Sequence, residues 1–494
     1  MNPTAATIEA LKVALSNPSA EPEMMKSFVQ SGSATSGLTY YDLEAPAKTL
    51  YPVLTPLRNR IARVSGKGGI QANWVAITGI NSTKQRAGLL QGARGTIIST
   101  TVQDYFAAYR GIGFDDNVTF EAEYAGMNFQ DIRATAQLGL LRSLMIAEEN
   151  ILLGGNTSLA LGTTPTPTVS ASGSGSSLPA ALVSVRCVAL TPDGYSASSV
   201  AGGVSLSGNV TTADGSTKFQ NGGTAIVSAA GTVTPTAGQN VLATVTPVTG
   251  AVAYAWFWGA SGAETLGAIT TINSVSISAA ATGTQVVGTN FNADYSKDGY
   301  VFDGLLTQIF NPTFNSYVVQ QATGTAGVGT PLTASNAGGI VEIDGVLKYL
   351  WDNYRLSPNA IYVSSQEQKN ISAKILSTNS QTAARFMLDA KQGAIAGGTM
   401  VRSYLNPFTM NGAAEIPILL HPYMPPGTIM FYTDELPYQL SNVANVVQVR
   451  TRQDYYSMEW PLKTRMYEYG VYADEVLQNY FPPAFAAITN IANG

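Results

Sequence analysis

Residues 147–177 read "AEENILLGGNTSLALGTTPTPTVSASGSGSS", and this stretch decides how the chain is divided. Its first part closes a helical pattern. Ile132, Ala136, Leu140, Leu144, Ala147 and Ile151 recur at spacings of three to four, and Leu138, Leu141, Met145 and Leu152 widen the apolar face. Gln130, Arg133, Gln137 and Glu149 keep other directions polar, and the Glu148–Glu149 pair is expected to close the exposed side of the helix. Gly154-Gly155-Asn156 is expected to end it, because glycine tolerates the left-handed conformation of a C-cap. A helix over residues 128–153 would be about 39 Å long, which suits a structural spine. The Thr/Pro/Ser/Gly run that follows is almost uncharged and reads as a hinge.

Bulk composition narrows the function classes. The chain has 494 residues, of which 45% are hydrophobic but only 12% charged. The usual charged share is about 25%, so a surface this poor in charge suits a molecule covered by neighbours. A net charge of −5 gives no electrostatic case for a free nucleic-acid binder. The single cysteine, Cys187, allows no internal disulfide and fits a reducing compartment. The opening residues lack the pattern of a signal peptide, and no continuous apolar run is long enough to span a membrane. A protein made and assembled inside a cell is expected.

Working outward from the hinge, residues 1–57 read as an N-terminal arm, with two helical turns at Ile8 to Leu15 and repeated prolines after them. Residues 58–114 read as a long β-hairpin, from "GGIQANWVAITGI" and "GTIISTTVQDYFAAYRGIGF". Its charge is lopsided: Arg58, Arg60, Arg63, Lys67, Lys84, Arg86, Arg94 and Arg110 are basic, and Asp104 is the sole acid among them. Asp115, Asp116, Glu121 and Glu123 follow. A basic arm beside an acidic patch can dock one subunit on the next, which makes these twelve residues the interface candidates; a solvated hairpin face is the other reading.

Residues 163–298 carry only eight charged side chains, and short β-prone runs alternate there with Gly/Ser/Thr/Asn turns, the pattern of an all-β sandwich. "VAYAWFWGA" places Tyr254, Trp256 and Trp258 on one strand face, as core residues or as a carbohydrate-binding stripe. After residue 300, α/β patterning returns. "GGIVEIDGVLKYLWDNYRL" and "QEQKNISAKIL" read as helices, "SPNAIYVSS" as a strand, and "IPILLHPYMPPGTIMFYT" as two strands around a turn. Long strands and a closing apolar strand after Pro482-Pro483 complete the chain.

Catalytic chemistry finds little material. A Ser-His-Asp system would need His421, the one histidine, and no G-x-S-x-G elbow accompanies it. One histidine and one cysteine nearly exclude a zinc site built on N and S ligands, and no phosphate-binding loop is present. No enzymatic activity, cofactor or metal is expected.

The order of parts resembles the major capsid proteins of tailed bacteriophages with the Hong Kong 97 fold. The quoted features are the helix ending "LGLLRSLMIAEENILLGGN", then "SPNAIYVSSQEQKNISAKIL", "IPILLHPYMPPGTIMFYT" and "YFPPAFAAITNI". The resemblance covers residues 20–160 and 300–494 and rests on the order of parts rather than on one motif. It implies an α+β fold with an N-terminal arm (1–57), an extended hairpin loop (58–114), a peripheral domain in two parts (115–162 with the spine helix, and 441–494) and an axial domain (299–440). Residues 163–298 depart from that pattern and look like an inserted immunoglobulin-like or fibronectin type III-like domain.

The function implied is self-assembly into pentamers and hexamers of an icosahedral head around double-stranded DNA, with the insert on the outer surface. Portal, scaffolding and decoration proteins are the implied partners, beside other copies of the chain, and no membrane is involved. The implied location is the virion, after assembly in the host cytoplasm. Some relatives form a Lys–Asn cross-link with a Glu as catalyst; Lys84 is the only hairpin-tip lysine, and no partner is matched to it. A guest domain of this kind implies that deleting residues 165–296 leaves a soluble chain. The competing functions are an adhesin with a carbohydrate-binding sandwich and a hydrolase relying on His421.

Overall fold

A computed structural model describes residues 51–80, 88–95, 97–127, 130–206, 208–211, 215–288, 290–335, 338–377, 400–410, 412–438 and 441–492. The turns expected at Ile8 to Leu15 lie outside these residues, as do Lys84 and Arg86. The fold is α+β. Residues 119–134 belong to a small separate unit. Within it, the helix Phe120–Gly126 starts at Thr119, whose hydroxyl accepts the Ala122 N–H at 3.2 Å. Glu121 and Glu123 sit in its first turn, where the helix dipole favours negative charge. The larger unit, residues 53–118 and 135–494, holds the rest.

In the larger unit a six-stranded sheet runs Tyr317–Gln320, Ala486–Thr489, Ile429–Tyr432, Ala360–Val363, Ala414–Leu420, Ser403–Asn406. Its central strands are apolar except at Thr489, and they are buried on both faces. One face packs on the helix Val341–Tyr354 through Ile343, Val346, Leu347 and Leu350. The opposite face, with Ala360, Tyr362, Met430 and Tyr432, joins the main core. A four-stranded sheet runs Ala62–Ser65, Val447–Glu459, Met466–Asn479, Arg110–Thr119, its long central pair antiparallel.

The spine helix is Ile132–Gly154. Its end corrects the C-cap expectation: neither Gly154 nor Gly155 has positive φ. Close approach explains these glycines instead. A Cβ on Gly154 would lie 2.6 Å from Pro192 Cβ, and one on Gly155 would lie 2.5 Å from the Phe302 carbonyl. The chain leaves the spine here and comes back to the same place: the Asp298 N–H donates to the Asn156 carbonyl at 2.7 Å, and the Gly304 N–H to Gly155 at 2.8 Å.

Between those points lie two facing sheets. One runs Ser274–Ile277, Asn240–Thr244, Thr168–Ser172; the other runs Thr265–Thr270, Ala253–Gly259, Val183–Leu190, Gly231–Val233. Val185, Cys187, Tyr254, Trp256, Val241 and Ile277 share the core between them. Tyr254, Trp256 and Trp258 are all buried, and the two indoles donate to Thr270 Oγ1 at 2.8 Å and to the Ala279 carbonyl at 3.0 Å. They are core residues, and no aromatic stripe faces solvent on this strand. The second sheet is also covered on its outer face. Val188, Leu190, Ala253, Ala255 and Phe257 belong to the same core as Leu152, Leu153, Phe302 and Leu305. The segment that reads as a detachable guest therefore shares a core with the spine.

Candidate functional site

The hairpin is built by Gln71–Ile80 and Thr100–Ala108, antiparallel from Gln71 opposite Ala108 to Ile80 opposite Thr100. Among the described residues no third strand joins this ladder. Period two separates its faces. Ala72, Trp74 and Tyr105 turn toward the body: Trp74 stacks on Tyr105 at 5.8 Å, with Tyr480 and Phe314 each 6.2 Å from one of the two rings. A cavity of about 460 Å³ lies beneath, lined by Trp74, Tyr105, Ala107, Phe302, Phe314 and Leu477 among others. The other face carries Val75, Ile77, Val102 and Phe106, with Ile77 67% and Phe106 75% exposed. Toward the tip Leu89, Leu90, Ile97 and Ile98 are exposed as well. A two-stranded ribbon is marginal on its own, and one with an open apolar face needs a partner surface.

The chain just before the hairpin is held by buried charge. The short helix Pro56–Arg60 has no side-chain cap of its own. Its Leu57 and Arg58 N–H groups donate instead to the two carboxylate oxygens of Glu149, at 2.9 and 2.7 Å. An anion there satisfies orphan donors and meets the positive end of the helix dipole. Glu149 Oε1 also meets His421 Nε2 at 2.6 Å. His421 Nδ1 accepts the Tyr423 N–H at 3.2 Å, so the ring proton sits on Nε2 and is donated to Glu149. Nε2 is thus engaged by Glu149, in a pair whose side chains are both fully buried, and Nδ1 by the Tyr423 N–H.

Glu148 anchors a second group. Arg58 Nε donates to it at 3.0 Å, and Arg63 and the Tyr455 hydroxyl also bond to it. Arg63 reaches on to Asp454 at 2.7 Å and Glu475 at 2.8 Å. Both guanidinium groups lie over the Tyr455 ring, at 5.1 and 4.7 Å from its centroid. Burial raises the Glu148 carboxyl against the pull of Arg63 and Arg58. Burial, and then the charge of Glu148, push Glu475 up to about 8, with Arg63 opposing. The cluster thus ties residues 57–63 to the spine helix and to the long central strand pair.

This corrects the expectation that Glu148 and Glu149 close an exposed side; both are 0% exposed. The signal was in the spacing, since Glu148 stands four residues after Leu144 and four before Leu152, inside the apolar stripe. The charge candidates also divide. Arg58 and Arg63 are held internally, and Arg60 forks onto Asp434 and lies over Tyr432 at 5.0 Å. Lys67, Arg94, Asp115 and Asp116 are exposed, with Asp115 accepting from the Tyr472 hydroxyl, and Arg110 is half-buried beside the cavity. Glu121 and Glu123 lie in the other unit.

No family model and no curated protein matches the sequence. Solved structures do. The capsid of a native GTA particle is 9% identical, with 94% of this chain and 100% of that chain covered, at a TM-score of 0.42. The capsid of cyanophage P-SCSP1u is 9% identical, with 96% and 99% covered, at 0.42. The holo-SrpI encapsulin complex from Synechococcus elongatus PCC 7942 is 8% identical, with 91% and 93% covered, at 0.38. Among the described residues no helix is long and apolar enough to cross a membrane, which says nothing about crossing by strands. The structures to which this chain is similar thus include phage capsid proteins, matched along most of its length.

Proposed function

We propose that this chain is the major capsid protein of a tailed-phage head. Its copies form pentamers and hexamers that close into an icosahedral shell around double-stranded DNA. The observation that carries this reading is the hairpin: a two-stranded ribbon rooted by aromatic stacking, with an apolar face that nothing among the described residues covers. A neighbouring copy is the natural cover, and order in such an arm is coupled to association. Lys67, Arg94 and Asp116 then supply rim charge. Residues 1–57 serve as an arm on another subunit, residues 299–440 as the axial domain, and residues 115–162 and 441–494 as the peripheral domain. The sandwich, of immunoglobulin-like type, faces the outside of the shell. Portal, scaffolding and decoration proteins complete the set of partners. The chain is a virion component assembled in the host cytoplasm, and its role is structural rather than catalytic. Expression followed by negative-stain microscopy tests this. Shells, capsomers or tubes are expected; a persistent monomer with a scaffolding partner supplied overturns it.

A further inference from the structure

Among the described residues, the sandwich meets the rest of the chain in at least two places. The outer face of its aromatic sheet shares a core with the end of the spine helix, as described above. At its far end, the turn between Thr265–Thr270 and Ser274–Ile277 is pinned to the six-stranded sheet. The pinning is reciprocal. The Asn273 N–H donates to Asn490 Oδ1 at 2.9 Å, and Asn490 Nδ2 donates back to Asn273 Oδ1 at 3.1 Å. Asn490 also donates to the Gln321 carbonyl at 2.7 Å, and Asn273 Nδ2 to Thr323 Oγ1 at 2.8 Å and the Val245 carbonyl at 2.6 Å.

Both asparagines are buried, and each amide has donor and acceptor atoms engaged. A buried polar network with its partners in place specifies one geometry, because any shift strands a group that water cannot reach. Asn490 follows the strand Ala486–Thr489 directly and has φ +60°, a conformation asparagine adopts more readily than other side-chain-bearing residues. Two glycines complete the fit. The Gly327 N–H donates to Ser274 Oγ at 2.9 Å, and a Cβ there would lie 2.5 Å from Ser276 Cβ. A Cβ on Gly427 would lie 2.9 Å from the Ile491 carbonyl and 3.4 Å from Thr271 Oγ1.

We propose that the inserted sandwich is a brace: the Asn273–Asn490 clasp locks it to the six-stranded sheet while its outer face locks it to the spine, so that the two move as one body. The inference is independent of the capsid reading, because it concerns a single chain. Hydrogen exchange of the purified full chain tests it. In the native protein, the sandwich strands 240–277 and the segments 321–330 and 486–492 should exchange in one cooperative unit. Asn273→Ala should speed exchange at residues 321–330 and 486–492 by roughly tenfold, the scale of a lost buried hydrogen-bond partner, and leave residues 140–153 near their native rate. Asn490→Gly, which keeps the backbone conformation, should do the same at 271–277. Scanning calorimetry of the native chain gives a reading that needs no variant, and a single transition including the sandwich is expected. A separate sandwich transition, or faster exchange confined to the mutated strand, overturns the brace.

Discussion

The hairpin strands and the paired strands Val183–Leu190 and Ala253–Gly259 are made of similar residues and meet opposite fates. Both are rich in β-branched and aromatic side chains. In "QANWVAITGI" small or polar residues interrupt the apolar ones, and one face is left open with Val75 and Ile77 on it. In "AYAWFWG" only alanine and glycine accompany the aromatic residues, and both faces are buried. Among the described residues the aromatic sheet finds covers for both faces, whereas the hairpin finds one. The difference separates surface that stabilises the monomer from surface that, in the proposed shell, another copy covers.

The strongest test of that contrast removes the sandwich. Deleting residues 165–296 would uncover Leu152, Leu153, Phe302 and Leu305, each worth about 1.5–3 kcal/mol when buried. The expected product is insoluble, contrary to the guest-domain reading of the sequence. A soluble deletion chain with native spine-helix content would show that the shared core is dispensable. Next in size, Phe257→Ala should cost about 3–5 kcal/mol in chemical denaturation, while Phe106→Ala leaves the monomer's stability unchanged. Equal losses at the two sites would erase the distinction.

The buried anchor gives an intermediate effect. Arg63→Ala leaves Glu148 and Glu475 without their shared guanidinium and should cost about 3 kcal/mol, while Lys67→Ala, exposed, leaves the melting temperature where it was. The smallest effect concerns pH. Glu475 sits at about 8, above the ordinary carboxyl range, so the folded state holds a proton that the unfolded state releases. Its contribution is complete below about pH 4.3, the ordinary glutamate value, and is lost as pH rises through about 8. Glu475→Gln should therefore match the native chain at pH 4 and melt a few degrees higher at pH 8.5. An equal offset at both pH values would place the proton elsewhere.

Much of this architecture is legible in the sequence where periodicity is strong. The spine helix, the two hairpin strands, the strand pair around Pro425-Pro426-Gly427 and the helix Val341–Tyr354 all announce themselves through apolar spacing. The anchor is less legible, because its partners are far apart in the chain. Arg60 finds Asp434, and Arg63 finds Asp454 and Glu475; no local pattern encodes pairings that only the folded sheets bring together. Carboxylates are assumed to face water, and Glu148 breaks that rule because two arginines and a tyrosine converge on it. Sharing of one core by the sandwich and the spine is hidden for another reason: a strand that is apolar at every position says both faces are covered, but not by what.

The central claim is that the hairpin's outer face is an assembly surface. Sedimentation velocity on the native chain and on a Val75→Asp/Ile77→Asp variant tests it most directly. Large assemblies are expected for the native protein, and a monomer with native circular dichroism and melting temperature for the variant. A variant that assembles as the native chain does would contradict it.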